Sequence, residues 1–410
     1  MRVLFIHQNF PGQFGKLAAA LSARPGFEIY ALGDESNIAL KPRQPYPVFA
    51  YRTRQATKSN AHHYLHSFEA AIRRGQDVVR ALQTLRQKNI TPDLIIGHPA
   101  WGELLFIKDI FPNAKVIAYC EYFYRAQGGD VGFDPEFPAT DDDRFRVRIK
   151  NSTQLHALEQ ADAGVSPTAW QRSSYPPREQ ARIEIIHEGL DLQRLVEKKE
   201  ASFTLADGRA LTRADQVITF VSRKLEPYRG FHVFMRALPE LQKRLPQAHF
   251  CIAGADGVSY GIPAPAPHEH YRAMLMQEVG TKLDMARTHF TGTLPSDRYL
   301  SLMQISRLHV YLSYPFVLSW SMLEAMACGV PVLGSATPPV EEVIKDGFNG
   351  QLFEFFDQAA LVEKAAAILA ASPSALTALT QQARRDMESH FSFEQHSLPK
   401  YLALIERVMQ

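Results

Sequence analysis

At 410 residues, 46% of them hydrophobic and 21% charged, the chain has a globular composition and is too long for one ordinary core, so two domains are expected. Its 45 Lys and Arg against 43 Asp and Glu leave a net charge of +2, which excludes bulk attraction to nucleic acid or membrane. Cys120, Cys251 and Cys328 lack metal-ligand or redox spacing and read as reduced, buried thiols; with no signal-peptide core and no bilayer-length apolar run, the sequence predicts a cytosolic protein.

In chain order, the apolar run Val3–Ile6 is followed by a Gly-containing loop, a helix-like stretch Phe14–Ser22 and a second run Glu28–Leu32. The helix-like segment Ser67–Lys88 leads to Asp93–Gly97, and then come Lys115–Tyr119, Ala163–Ser166 and Ile183–Ile186. Short buried strands alternating with helices predict a parallel sheet covered on both faces. The pattern stops at the polar segment 190–212 and restarts with Val217–Val221, His249–Gly254, Thr288–Phe290, Leu308–Leu312 and Pro331–Leu333. The fold class expected is therefore α/β, with two facing doubly wound Rossmann-like domains and an interdomain cleft at the carboxyl ends of their strands. Domain boundaries are set at 1–195 and 196–390, with 391–410 as an amphipathic C-terminal helix packing back on the first domain.

Three segments carry chemistry. Gly12 and Gly15 stand directly before a helix, where backbone N–H groups approach a phosphate; a plain tight turn is the alternative. In Ser222-Arg223-Lys224-Leu225-Glu226-Pro227-Tyr228-Arg229-Gly230, three cations follow a strand and precede a helix, which suits a diphosphate and its developing charge. Glu324 sits in the small, apolar helix Ser319–Cys328, and a carboxylate there needs a partner. Ligand hydroxyls are one candidate; a structural ion pair with Arg223 or Lys224 is the other.

On these residues the chain resembles the group-1 retaining glycosyltransferases (glycosyltransferase family 4) of the GT-B fold. Leu323–Val332 is close to the family signature, and Ser222–Gly230, Ile185–Asp191, Phe290–Leu294 and Asp93–Trp101 match further segments. The resemblance implies transfer of a sugar from a UDP- or GDP-linked donor to a hydroxyl acceptor, with retention and without metal or other cofactor. It implies that Arg223 and Arg229, with Lys224, hold the diphosphate and that Glu324 accepts from the ribose hydroxyls. Gly292 and Leu294 pass the nucleobase, His98 faces the reacting sugar, and Gly12 and Gly15 line the cleft below the phosphates. Two departures stand out. Arg229 replaces the usual Lys, a planar fork for a point charge. Phe316 stands where the family carries a sugar-reading glutamate eight positions before Glu324, which leaves the backbone of Val317, Leu318, Ser319 and Trp320, with Ser321, to meet sugar or phosphate. The missing carboxylate keeps open the reading of a nucleotide-sugar-binding protein without turnover; an epimerase on the same fold is a third reading, with no signal in the sequence beyond the fold itself.

Other features carry less. Asp141-Asp142-Asp143 follows the Gly- and Pro-containing loop 127–140 and reads as part of a solvated or acceptor-facing loop. His268-Glu269-His270, and the pair His62 and His66, lack zinc spacing. Residues 41–90 hold ten Lys or Arg against Glu69 and Asp77: a solvated helix face, or attraction to an anionic acceptor or a membrane carrying lipid-linked sugar.

Overall fold

Nearly continuous apolar runs form the centres of two parallel sheets, because strands covered on both faces have no polar side to display. The computed structural model describes residues 1–53 and 60–410, which divide into Met1–Gly189 with Phe393–Gln410 (unit 1) and Leu190–Ser392 (unit 2).

In unit 1 the strands are β1 (Arg2–Ile6), β2 (Glu28–Asp34), β3 (Val48–Tyr51), β4 (Leu94–Gly97), β5 (Lys115–Tyr119), β6 (Ala163–Ser166) and β7 (Ile183–Ile185). Among the described residues they form a sheet of order β3-β2-β1-β4-β5-β6-β7, every neighbouring pair parallel. In β1, Val3 and Phe5 enter one core cluster and Leu4 and Ile6 the other, the period-2 alternation of a doubly covered strand. The order reverses between β1 and β4, so the crevice of this sheet lies where His7 and His98 leave those strands. The C-terminal helix Leu398–Met409 packs Leu398, Tyr401, Leu404 and Ile405 into the cluster of Val3 and Phe5.

In unit 2, β8 (Ser202–Thr204) and β9 (Ala210–Thr212) form an antiparallel hairpin. Strands β10 (Gln216–Lys224), β11 (Ala248–Ala255), β12 (Thr288–Gly292), β13 (Leu308–Tyr311), β14 (Val332–Ser335) and β15 (Gln351–Phe353) make a parallel sheet of order β12-β11-β10-β13-β14-β15. Its switch point falls between β10 and β13.

Three elements differ from the sequence reading. The polar segment 190–212 contains the hairpin, which buries Phe203 and Leu211 against Val217 and Cys251. The edge strands β3 and β15 were too short and mixed in character to stand out. Asp141, Asp142 and Asp143 do not belong to a loop: they open the helix Asp141–Lys150 through a capping box with Thr140. Among the described residues no single helix is long and apolar enough to cross a membrane.

Candidate functional site

The carboxyl end of β10 is shaped by its following loop. Glu226 is 1% exposed, and its carboxylate accepts from the backbone N–H groups of Ser259, Tyr260 and Gly261 at 3.0, 3.3 and 2.9 Å. Gly230 closes the loop at φ +65°, where a Cβ would lie 2.3 Å from Leu312 Cβ; only glycine fits the turn that starts the helix Phe231–Arg244.

Beside this loop lies a pocket of about 410 Å³, wholly within unit 2. It brings together Arg223, Lys224, Gly292, Leu294, Ser319, Trp320, Ser321 and Glu324 of the residues expected from sequence, and adds Tyr299 and the turn Ala253–Ala255. Arg223 is exposed, while the Lys224 ammonium donates to the Asp256 carbonyl at 2.6 Å. The pocket is also lined by the N-terminus of the helix Trp320–Ala327, whose N-cap residue, Ser319, makes no side-chain cap. Ser321 is 5% exposed and its hydroxyl has no hydrogen-bond partner among the described residues. Two cations, a helix N-terminus and a free hydroxyl donor are groups that suit an anion.

Glu324 accepts a hydrogen bond from the Tyr299 hydroxyl, which comes from the helix Ser296–Ile305. Burial, and then the Glu324 charge, push the Tyr299 phenol well above its ordinary range, so it remains a donor. The tyrosine is thus the partner that the sequence sought in Arg223, Lys224 or a ligand. Glu324 also lines the pocket, where a carboxylate accepts from hydroxyls.

Arg229 does not line the pocket. It is 7% exposed, and its Nη1 donates to Ser313 Oγ and the Val317 carbonyl, both at 2.8 Å, and to Tyr311 Oη at 3.3 Å. Tyr311 Oη also accepts the Ser319 N–H at 2.8 Å, so Arg229 holds the segment leading into the pocket helix. Val317 and Leu318 are buried in this same segment. Phe316 is 2% exposed, edge-on to Tyr228 with centroids 5.4 Å apart and 4.9 Å from Tyr260. An aromatic cluster occupies the position of the expected carboxylate. A larger hollow, about 660 Å³, lies between the hairpin and β12, but its Arg298 already donates to the Thr204 carbonyl and stacks on Phe203.

Gly12, Gly15 and His98 belong to unit 1. Gly12, at φ +47°, passes close to the His7 ring, with its hypothetical Cβ 3.1 Å from Nδ1, and Gly15 is the first residue of the helix Gly15–Ser22. His98 is 2% exposed; its Nδ1 accepts from the Ala100 N–H at 3.1 Å and its Nε2 lies 3.4 Å from Glu121 Oε2. Glu103, also buried, accepts from Tyr51 Oη and the Gln8 N–H, and burial raises its carboxyl above the usual range. Glu121 and Tyr299 escaped the sequence reading because each gains meaning only from a partner more than twenty positions away.

The acidic and basic runs are largely paired. Asp142 is bonded to His63 and Tyr64, and Asp141 and Asp143 to Arg144 and Arg146. In the basic window Arg73 pairs with Glu69, Arg80 with Asp77, and Arg74 donates to the Trp101 carbonyl; Arg54 and Lys58 lie outside the described residues.

Comparison with known proteins follows this geometry. The model of the glycosyl transferase family 4 group matches residues 25–195, and that of glycosyl transferases group 1 matches 206–386, a span that contains the whole pocket. The D-inositol 3-phosphate glycosyltransferase of Mycolicibacterium vanbaalenii is 26% identical over 269 residues, covering 64% of this chain and 52% of the relative. That of Rhodococcus jostii is 28% identical over 218 residues, covering 52% and 45%. The chain spans about half the length of these curated relatives. Among solved structures, Anabaena HepE in complex with UDP and glucose superposes with a TM-score of 0.70 at 17% identity, covering 99% of this chain and 100% of that one. Sucrose-phosphate synthase from Thermosynechococcus elongatus gives 0.69 at 17%, covering 99% and 98%. The solved structures establish the two-domain GT-B architecture, and the two family models, which together match residues 25–195 and 206–386, show that the chain belongs to the group-1 glycosyltransferases of family 4.

Proposed function

We propose that the chain transfers a sugar from a nucleotide-diphosphate sugar, UDP- or GDP-linked, to a hydroxyl acceptor. The observation that carries this reading is the unit 2 pocket, which brings together Arg223, Lys224, the Trp320–Ala327 N-terminus and Glu324 with Tyr299. The diphosphate lies against Arg223, Lys224 and the Ser321 hydroxyl, and the ribose hydroxyls donate to Glu324. As the sugar leaves, negative charge grows on the diphosphate, where preset donors act without reorganising. Reaction with retention and without a metal goes with the family resemblance, and the pocket's lining holds one carboxylate, Glu324, beside Arg223 and Lys224. The names of the relatives support glycosyl transfer, and the HepE complexes with UDP and with UDP-glucose support this donor class.

The acceptor is a hydroxyl of a glycan, lipid-linked or small molecule, taken by unit 1, and the basic face in 41–90 attracts an anionic acceptor or membrane. Cosedimentation with anionic vesicles, and none with neutral ones, checks the membrane arm. For the donor, a thermal-shift panel of UDP- and GDP-sugars followed by turnover assays is decisive. A shift with nucleotide diphosphates and consumption of one donor with acceptor are expected; product formed without any acceptor would replace transfer by epimerisation.

A further inference from the structure

We propose that Glu121 is a second hydroxyl-reading carboxylate of this protein, acting beside His98 on a neutral sugar or polyol bound by unit 1. The inference deepens the transfer reading, on which it rests for the class of ligand. Both residues leave strand ends next to the sheet's switch point, His98 after β4 and Glu121 after β5. The Ala100 N–H donates to His98 Nδ1, so that nitrogen carries the lone pair and the neutral ring bears its proton on Nε2. Nε2 is buried and makes no hydrogen bond among the described residues. At 3.4 Å, Glu121 Oε2 is beyond a good N–H···O bond, yet near enough for one ligand hydroxyl to accept from His98 and donate to Glu121.

That pairing of one donor with one acceptor fits a hydroxyl and rejects a phosphate, which Glu121 repels. The Glu121 side chain is 32% exposed, so ligand reaches it, and its backbone carbonyl is fixed by the Gln171 amide at 2.7 Å. Trp101, 36% exposed with its ring 5.7 Å from that of His98, offers an apolar face beside the pair. The site supplies a carboxylate for hydroxyls in a chain whose position 316 is a buried phenylalanine.

Initial-rate kinetics of full-length Glu121→Gln, Glu121→Asp and Glu121→Ala test this, with calorimetric affinity for UDP and GDP and the melting temperature measured alongside. Glu121 acts as a binding residue for hydroxyls, so Glu121→Gln is expected to lose about 10- to 100-fold in kcat/KM, the loss of a charged hydrogen bond. Nucleotide affinity and melting temperature stay at wild-type values, and Glu121→Asp recovers part of the rate. Wild-type kinetics in the Gln and Ala variants would overturn the proposal while leaving the transfer reading intact. A loss matched by weaker nucleotide binding or a lower melting temperature would make Glu121 structural and overturn it too. A wild-type chain that binds nucleotide but turns over no sugar with any acceptor contradicts the transfer reading and this proposal together.

Discussion

Glu324 and Arg229 are both charges in apolar surroundings, but the structure gives them different work. Glu324 lines the pocket and is bonded to Tyr299, so on the proposed ribose contact Glu324→Gln is expected to leave the fold intact and reduce kcat/KM about 10- to 100-fold. Steady-state kinetics and melting temperature, measured together, check this. Arg229 is a strut: Arg229→Ala removes the donor from Ser313 Oγ and Tyr311 Oη, which keep the Tyr314 carbonyl and the Ser319 N–H, and from the buried Val317 carbonyl, whose lost partner costs about 1–3 kcal/mol. Its melting temperature should therefore fall along with its activity, and an unchanged one would contradict that role. Phe316→Glu does not restore the family's sugar-reading glutamate, because the new carboxylate is buried against Tyr228 and Tyr260. It is expected to destabilise by at least the ~3–5 kcal/mol typical of losing a large core aromatic, seen as a lower denaturation midpoint, while Phe316→Leu costs far less. At this scale Glu324 was legible as a lone carboxylate in an apolar helix. Tyr299 was not, since only the packing of two helices joins them.

At the scale of elements, the loop from β10 to the next helix is set by Gly230, and Gly230→Ala brings the left-handed penalty of ~1–2 kcal/mol plus the collision with Leu312. Equilibrium unfolding should register a loss larger than that penalty. Strand β13 carries a second test. His309 is fully buried, with Nδ1 3.0 Å from Thr219 Oγ1, and burial holds its pKa down to about 3. The unfolded chain takes up this proton near the ordinary histidine value of about 6.5, whereas the folded chain does not until near 3. Stability from this group is thus complete above that ordinary value and is lost as the pH falls toward 3, at up to about 1.4 kcal/mol per pH unit. His309→Asn should flatten the acid limb of a stability–pH curve.

Elements with long uniform runs, such as Val217–Val221, Leu308–Tyr311 and the helix Ser67–Lys88, were legible because both faces or one whole stripe are apolar. The hairpin over 202–212 was not, because its three-residue strands show only one buried side chain each. The helix at Asp141 was masked by its own cap: three acidic residues in a first turn look, in one dimension, like part of a solvated or acceptor-facing loop.

Over the whole molecule, the alternation of strand and helix announced two doubly wound sheets. The chain passes between units twice, at Gly189/Leu190 and at Ser392/Phe393, the second time as the amphipathic pattern of 391–410 led one to expect. The second passage returns the tail to the first sheet's core, and Gly189 is required there, since a Cβ would lie 2.5 Å from Phe393 Cα. Each sheet places its chemistry at its own switch point: hydroxyl-reading groups at His98 and Glu121 in unit 1, and anion-binding groups at Arg223 and the 320–327 helix in unit 2. The central claim is that the unit 2 pocket is built for a nucleoside diphosphate. Isothermal titration of UDP and GDP against uridine and guanosine, on the wild type, Arg223→Ala and Glu324→Ala, tests it most directly. One diphosphate should bind the wild type at least about 100-fold more tightly than its nucleoside, with each substitution weakening it about tenfold or more. Equal binding of nucleoside and diphosphate, or wild-type affinity in both variants, would contradict it.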